Sequence, residues 1–200
     1  MTDKPPPSRD GRSAERTADI MRVTLELAQE VGYAKLSVEG IAARAGVGKH
    51  TIYRRWSSKG AVFLDSLLSS IEGDLSYPYT GDLVADLRVQ MTNAVTLLAT
   101  PPYDRLYAAL VGEAQHDPAV AKTLYERFVQ PQAERTADRL RAAQEEGQLS
   151  RDLDLDTVVM LLYGSYYHKL LLTPFPLSTR DVDIVLDTFF TIGLRPPEQP

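Results

Sequence analysis

Two glycines, a lysine and a threonine crowd into the stretch AGVGKHTIYRRW, residues 45–56. Residues of these types can cradle a phosphate, or they can open a helix that reads DNA. A phosphate-binding loop needs G-x-x-x-x-G-K-[ST] after a buried strand, so that successive backbone N–H groups wrap the phosphate oxygens. Its first glycine would fall at Ala43, and Lys49 is followed by His50, which has no hydroxyl for a magnesium ion. The preceding segment has helical periodicity, not strand periodicity. The second chemistry asks for donors and an aromatic on one outward helix face. Lys49, His50, Thr51, Tyr53 and Arg54 supply it, with groups that can bond base edges and phosphates.

Other chemistries fail on spacing. Asp152, Asp154 and Asp156 suggest a calcium loop, but Thr157 stands where that loop needs glycine and Tyr163 where it needs glutamate. The cluster reads better as negative charge at a helix start. His50, His116 and His168 have no metal-ligand spacing. There is no G-x-S-x-G, no dinucleotide glycine pattern and no cysteine, which excludes a thiolate metal site and a cysteine nucleophile. No metal or cofactor is expected. No apolar run reaches the roughly 18 residues of a membrane helix, so no membrane partner is expected, and the absence of cysteine fits a reducing cytoplasm.

The elements around the opening stretch must hold its outward face in place. Ile20, Val23, Leu27 and Val31 share one face of a helix that begins near Ser13 and stops at Gly32. Ser37 is a good N-cap for a short helix reaching about Ala45. Gly46 breaks that helix, and a second short one runs from about Gly48 to Arg55. Val38, Ile41, Ala42 and Ala45 can bury one face of the first, Val47 plugs the turn, and Ile52 anchors the second from behind. Geometry alone leaves a helix-turn-helix and a plain helical hairpin equally open. Helices then follow at about 58–76, 82–100, 103–115, 118–146, 155–173 and 179–193, with Pro131 kinking or splitting the fourth of these. The expected fold is therefore all-α, about nine helices in total. Residues 1–11 form a proline-rich, disordered arm, 12–60 a basic head and 61–200 a larger helical bundle. The charge supports this split: residues 1–60 carry 11 Lys/Arg against 7 Asp/Glu, net +4, so the rest of a chain of net charge −5 stands at −9.

LSVEGIAARAGVGKHTIYRRWSSKGAVF, residues 36–63, resembles the head of the TetR family of one-component transcriptional repressors. It follows the pattern I-A-x-x-A-G-V-[SG]-x-x-[TA]-[LI]-Y-x-[HY]-[FW]-x-[SN]-K nearly end to end. The resemblance implies a three-helix DNA-binding head in which Lys49, His50 and Thr51 read bases. Ser37 binds a backbone phosphate at a helix N-terminus, Tyr53 and Lys59 bind flanking phosphates, and Arg44 reaches the groove edge. Departures are Gly48 for the usual Ser, losing a cap hydroxyl, Gly60 for Glu, weakening the next helix start, and Arg55–Trp56 for His–Phe. Trp56 is expected as a core anchor with its indole N–H partly wet.

The resemblance further implies that residues from about 61 bind a small molecule and form a homodimer, presenting two heads to a palindromic operator in double-stranded DNA. Tyr103, Tyr107, Tyr125, Phe128, Met160, Tyr163 and Tyr167 are the candidate contacts to an apolar or amphipathic effector. DTVVMLLYGSYYHKLLL and VDIVLDTFFTIGL are apolar nearly all round and are the expected dimer helices, with Gly164 and Ser165 permitting close crossing. Two rival readings stay open: a small-molecule-binding or catalytic bundle with a structural helix-turn-helix, and a DNA-binding protein whose body answers to a protein partner.

Overall fold

The computed structural model describes residues 9–71 and 78–191, and among them it is all-α with no strand. The helices are α1 (Arg9–Val31), α2 (Val38–Arg44), α3 (Lys49–Tyr53), α4 (Lys59–Ile71), α5 (Leu83–Ala99), α6 (Tyr103–Ala114), α7 (Pro118–Leu124), α8 (Gln130–Glu145), α9 (Leu155–Leu172) and α10 (Thr179–Thr191). α7 runs into α8 through a π-helical turn, Tyr125–Val129. Taken as one interrupted helix, 118–145 brings the number among the described residues to nine, as the spacing predicts. Pro131, which has no N–H to donate, sits in the first turn of α8, where the wider turn absorbs the missing bond. A 3₁₀ turn, Tyr33–Lys35, joins α1 to α2. α1 starts four residues ahead of Ser13; the rest of the proline-rich arm lies outside the described residues.

The described residues fall into two compact units. One holds those up to Ser70 together with Ala109–Ala121; the other holds Ile71–Ala108 and those from Lys122 on. In the first unit Ile20, Val23 and Ala28 of α1 are buried, as are Val38, Ile41, Ala42, Ile52 and Trp56, with Phe63, Leu64 and Leu67 of α4. Thr24 joins this face by donating its hydroxyl to the Ile20 carbonyl (2.8 Å). Val31, expected on the same face, is exposed, because it ends the helix where Gly32 turns the chain away.

In the second unit α10 packs on α5 and α9, and α8 packs on α9 and α5. Leu87, Met91, Val95, Leu140, Leu162, Val182 and Leu186 make its core. Asp154 caps α9 by accepting from the Thr157 N–H (2.8 Å). Arg139 of α8 donates to Asp86 of α5 (2.7 Å) in the interior, and Lys169 of α9 pairs with Asp181 of α10 (2.7 Å). α10 departs from expectation. Val182, Leu186 and Phe189 are buried while Asp183, Asp187 and Thr188 face solvent, so it is amphipathic, not apolar all round.

Candidate nucleic-acid interface

The turn between α2 and α3 is fixed by hydrogen bonds that the sequence foreshadows. Gly46 takes the left-handed conformation (φ 64°) that a side chain disfavours. The Val47 N–H donates to the Ala42 carbonyl (3.0 Å) and the Gly46 N–H to Ala43 (3.3 Å), the two bonds of a Schellman stop. α3 is only five residues long, too short to be stable by itself. Ile52, fully buried, pins it to the head. With Ile52 turned inward, Lys49, His50, Tyr53 and Arg54 are left exposed and Thr51 half-buried.

Ser37 accepts the Gly40 N–H (3.1 Å) as N-cap of α2. Its own O–H proton is left to donate to a phosphate oxygen. Lys49 is not idle: its ammonium pairs with Glu39 Oε1 (3.1 Å) across the exposed surface, and that contact holds the Glu39 carboxyl below its usual range. Such a solvated pair is weak and easily exchanged for a phosphate or base. Arg44, expected at the groove edge, forms a two-pronged pair with Glu30 of α1 (3.0 and 2.7 Å). Lys59, expected on a phosphate, places Nζ 4.3 Å from the Tyr33 ring centre and donates to the Tyr33 carbonyl (3.4 Å). Both cations brace the head in this state. Trp56 also differs from expectation: its indole N–H is not wet but donates to Asp65 (2.7 Å).

In the second unit the aromatic candidates divide. Tyr107 and Phe128 are buried and in contact (5.5 Å between ring centres), and the Tyr107 and Tyr167 hydroxyls are 3.1 Å apart. Gln90 donates to Tyr163 (2.6 Å) and to Thr136, which makes a second, polar group at Tyr163, one turn along α9 from Tyr167. Burial pushes the Tyr107 and Tyr167 phenols above their usual range, so both stay protonated and can donate. Tyr103 lines a separate cavity of about 360 Å³ with Asn93, Thr96, Leu97 and Thr100. Tyr125 and Met160 join none of these; both side chains are exposed. Helical spacing put Met160 one turn before Tyr163, but it lies on the outer side of α9, and Tyr125 faces out of the π turn whose Phe128 is buried.

Two stretches of the chain each carry a family signature. Residues 20–65 match the bacterial regulatory proteins of the tetR family, and residues 77–189 match the tetracyclin repressor-like C-terminal domain. The chain belongs to the TetR family. A curated relative, the HTH-type transcriptional regulator YdeS of Bacillus subtilis (strain 168), is 33% identical over 171 residues, covering 85% of this chain and 86% of its own. The crystal structure of the TetR family transcription regulator SCO0332 is 34% identical with a TM-score of 0.70, covering 91% of this chain and 100% of its own. At 22% identity and a TM-score of 0.67, Thermus thermophilus FadR in complex with lauroyl-CoA shares the fold over 92% of this chain and 97% of its own.

Sequence reasoning passed over several residues of this TetR-family chain. Gln90, Asn93 and Thr96 recur every three residues along α5 and carry polar groups into or beside its apolar face. That spacing is a readable signal, since a polar side chain on a buried stripe must find partners. Thr136 gives the same signal on α8, where it is wholly buried. Glu30 and Glu39 had none, because each meets its cation across a turn of the fold and not along one helix.

Proposed function

We propose that this TetR-family transcriptional regulator is a cytoplasmic repressor that binds a palindromic operator as a homodimer and is released by a small apolar or amphipathic molecule. The observation that carries the reading is α3: a five-residue helix, anchored by buried Ile52, that offers Lys49, His50, Tyr53 and Arg54 to solvent. Lys49, His50 and Thr51 are assigned to base edges; Ser37, Tyr53 and Arg54 to backbone phosphates; Arg44 and Lys59 contribute after exchanging their present partners. Dimerisation falls to α9, whose outward side carries Met160, Leu161 and Leu172 exposed. The effector is assigned to the second unit, where the phenols of Tyr107 and Tyr167 lie together beside Phe128, where Tyr163 meets Gln90, and where Tyr103 borders an open cavity. The acyl-CoA held by Thermus thermophilus FadR is an amphipathic ligand on the same fold and supports that class.

The mechanism is a shift between two states, one preferred by DNA and one by effector. A coupling of about 1–3 kcal/mol changes operator affinity roughly 5–150-fold. The deciding experiment is selection of bound duplexes from a random pool at about 0.15 M salt. Enrichment of a palindrome is expected. A folded protein that enriches nothing would leave the helix-turn-helix a structural hairpin.

A further inference from the structure

Cations of the head differ in what holds them: Lys59 sits on the Tyr33 ring, and exposed Lys35 lies apart in the turn before α2. Arg22, Arg44 and Lys49 each have an acidic partner, in Glu26, Glu30 and Glu39. Arg16, Arg54 and Arg55 have none among the described residues, and all three are exposed. These three line one cleft of about 610 Å³ between α1 and the end of α3, together with the hydroxyl residues Ser13, Thr17 and Thr51. Ser13, Arg16, Thr17 and Ile20 recur at three- and four-residue steps along a single face of α1. Ile20 and Trp56 are buried below it, and the Arg55 guanidinium lies 5.6 Å from the Trp56 ring centre.

We infer that this cleft seats the DNA backbone, with Arg16 and Arg55 clamping phosphates that the reading face of α3 does not reach. The inference rests on the DNA-binding role proposed above and adds α1 to the interface. Three guanidinium groups lining one cleft with no acidic side chain among its described lining residues repel one another, and an anion relieves that repulsion. Guanidinium forks are the donors that phosphate oxygens accept best, with the Ser13 and Thr51 hydroxyls beside them, the Thr17 hydroxyl being spent on the Ser13 carbonyl (2.9 Å). The cleft is open, since Ser13, Arg16, Arg54 and Arg55 are all exposed. A polymer backbone can pass through an open cleft, whereas a free small anion would gain little from so hydrated a site. Thr51 belongs both to this wall and to α3, so the cleft is continuous with the reading face.

The test measures binding of the full chain to a random-sequence duplex of about 24 base pairs by fluorescence anisotropy, from about 0.05 to 0.3 M salt. Arg16→Ala and Arg55→Ala are each expected to lower the log–log salt slope by about 1 per head and to weaken every duplex equally. Arg16→Lys keeps the charge and should restore the slope. Arg22→Ala, on the same helix but already paired, should leave it unchanged. An unaltered slope in both cleft variants, with Lys49→Ala still weakening selected duplexes, would remove DNA from the cleft and leave the DNA-binding role standing. Tripolyphosphate that raises the melting temperature through Arg16, without any change in duplex slope, would make this a free-oxyanion site and overturn the inference. Absence of salt-dependent duplex binding in the wild-type chain would sink both readings together.

Discussion

At Gly48 a built Cβ would stand 2.6 Å from the His50 ring, so the glycine makes room for that imidazole over the start of α3. Gly48 read as a lost cap in the sequence, and α3 indeed has no side-chain cap bond at its N-terminus. The space it leaves depends on the rotamer of a neighbour, which no residue pattern reveals. Gly48→Ser would add a cap hydroxyl, worth only a few tenths of a kcal/mol over glycine, and would push the flexible His50 ring aside. Thermal unfolding should therefore stay nearly constant, while duplex selection changes its preference at one or two positions of each half-site. A selection profile identical to wild type would show that His50 does not read bases. Arg44 and Lys59 teach the same lesson. Their type marked them as DNA-facing, but an acid fourteen residues away and an aromatic ring twenty-six residues away occupy them here.

Gly60 shows how a departure that looked weakening becomes a packing device between elements. Its Cβ would meet Val120 Cγ2 at 2.9 Å and Glu113 Cγ at 3.0 Å, so the first turn of α4 lies flush against the residues that end α6 and begin α7. The usual glutamate would not fit. The helix start is secured instead by Ser58, whose hydroxyl accepts the Ala61 N–H (3.1 Å). Gly60→Ala should overpack this joint and cost about 1–3 kcal/mol, read as a lower urea midpoint. Val120→Ala vacates the same space, so the double variant should be more stable than the sum of the two single losses by at least about 0.5 kcal/mol. Strict additivity would mean that α4 and α7 are not in contact at this point. Helices themselves were legible, because apolar residues at three- and four-residue steps and the breaks at Gly46, Pro118 and Gly147 record local backbone preference. Less legible was what a helix meets. α10 read as apolar all round because Asp183 and Asp187 are spaced to share one face, which a linear count of apolar residues hides. The π turn before Pro131 was legible as a defect but not as a shape.

For the whole molecule the question is what covers α9. Val158, Val159, Leu162 and Tyr166 are buried within the chain, yet Met160 is 65% exposed, Leu161 59% and Leu172 75%. A patch of this kind on a single chain is an association site or an aggregation hazard. Between Asp156 and Lys169 the helix has no Asp, Glu, Lys or Arg, in a segment 61–200 whose net charge is −9. Two such acidic bodies repel, so an uncharged helix is the face on which two copies can meet, each patch on its own copy across a two-fold axis. Gly164 and Ser165 are exposed in the middle of it, and nothing lies within 4 Å of a Cβ built on Gly164. Gly164→Leu therefore leaves the single chain intact while keeping two helices from crossing closely. Sedimentation should show a folded monomer for Gly164→Leu and for Leu161→Glu, with unchanged helical content. Two linked heads gain roughly 10²–10⁴-fold over one through effective concentration. The monomer should lose that factor on a palindrome and keep its affinity for an isolated half-site. If Gly164→Leu stays dimeric and binds the palindrome as tightly as wild type, the two-fold contact lies on another face, and the exposed apolar stripe of α9 would need a different partner.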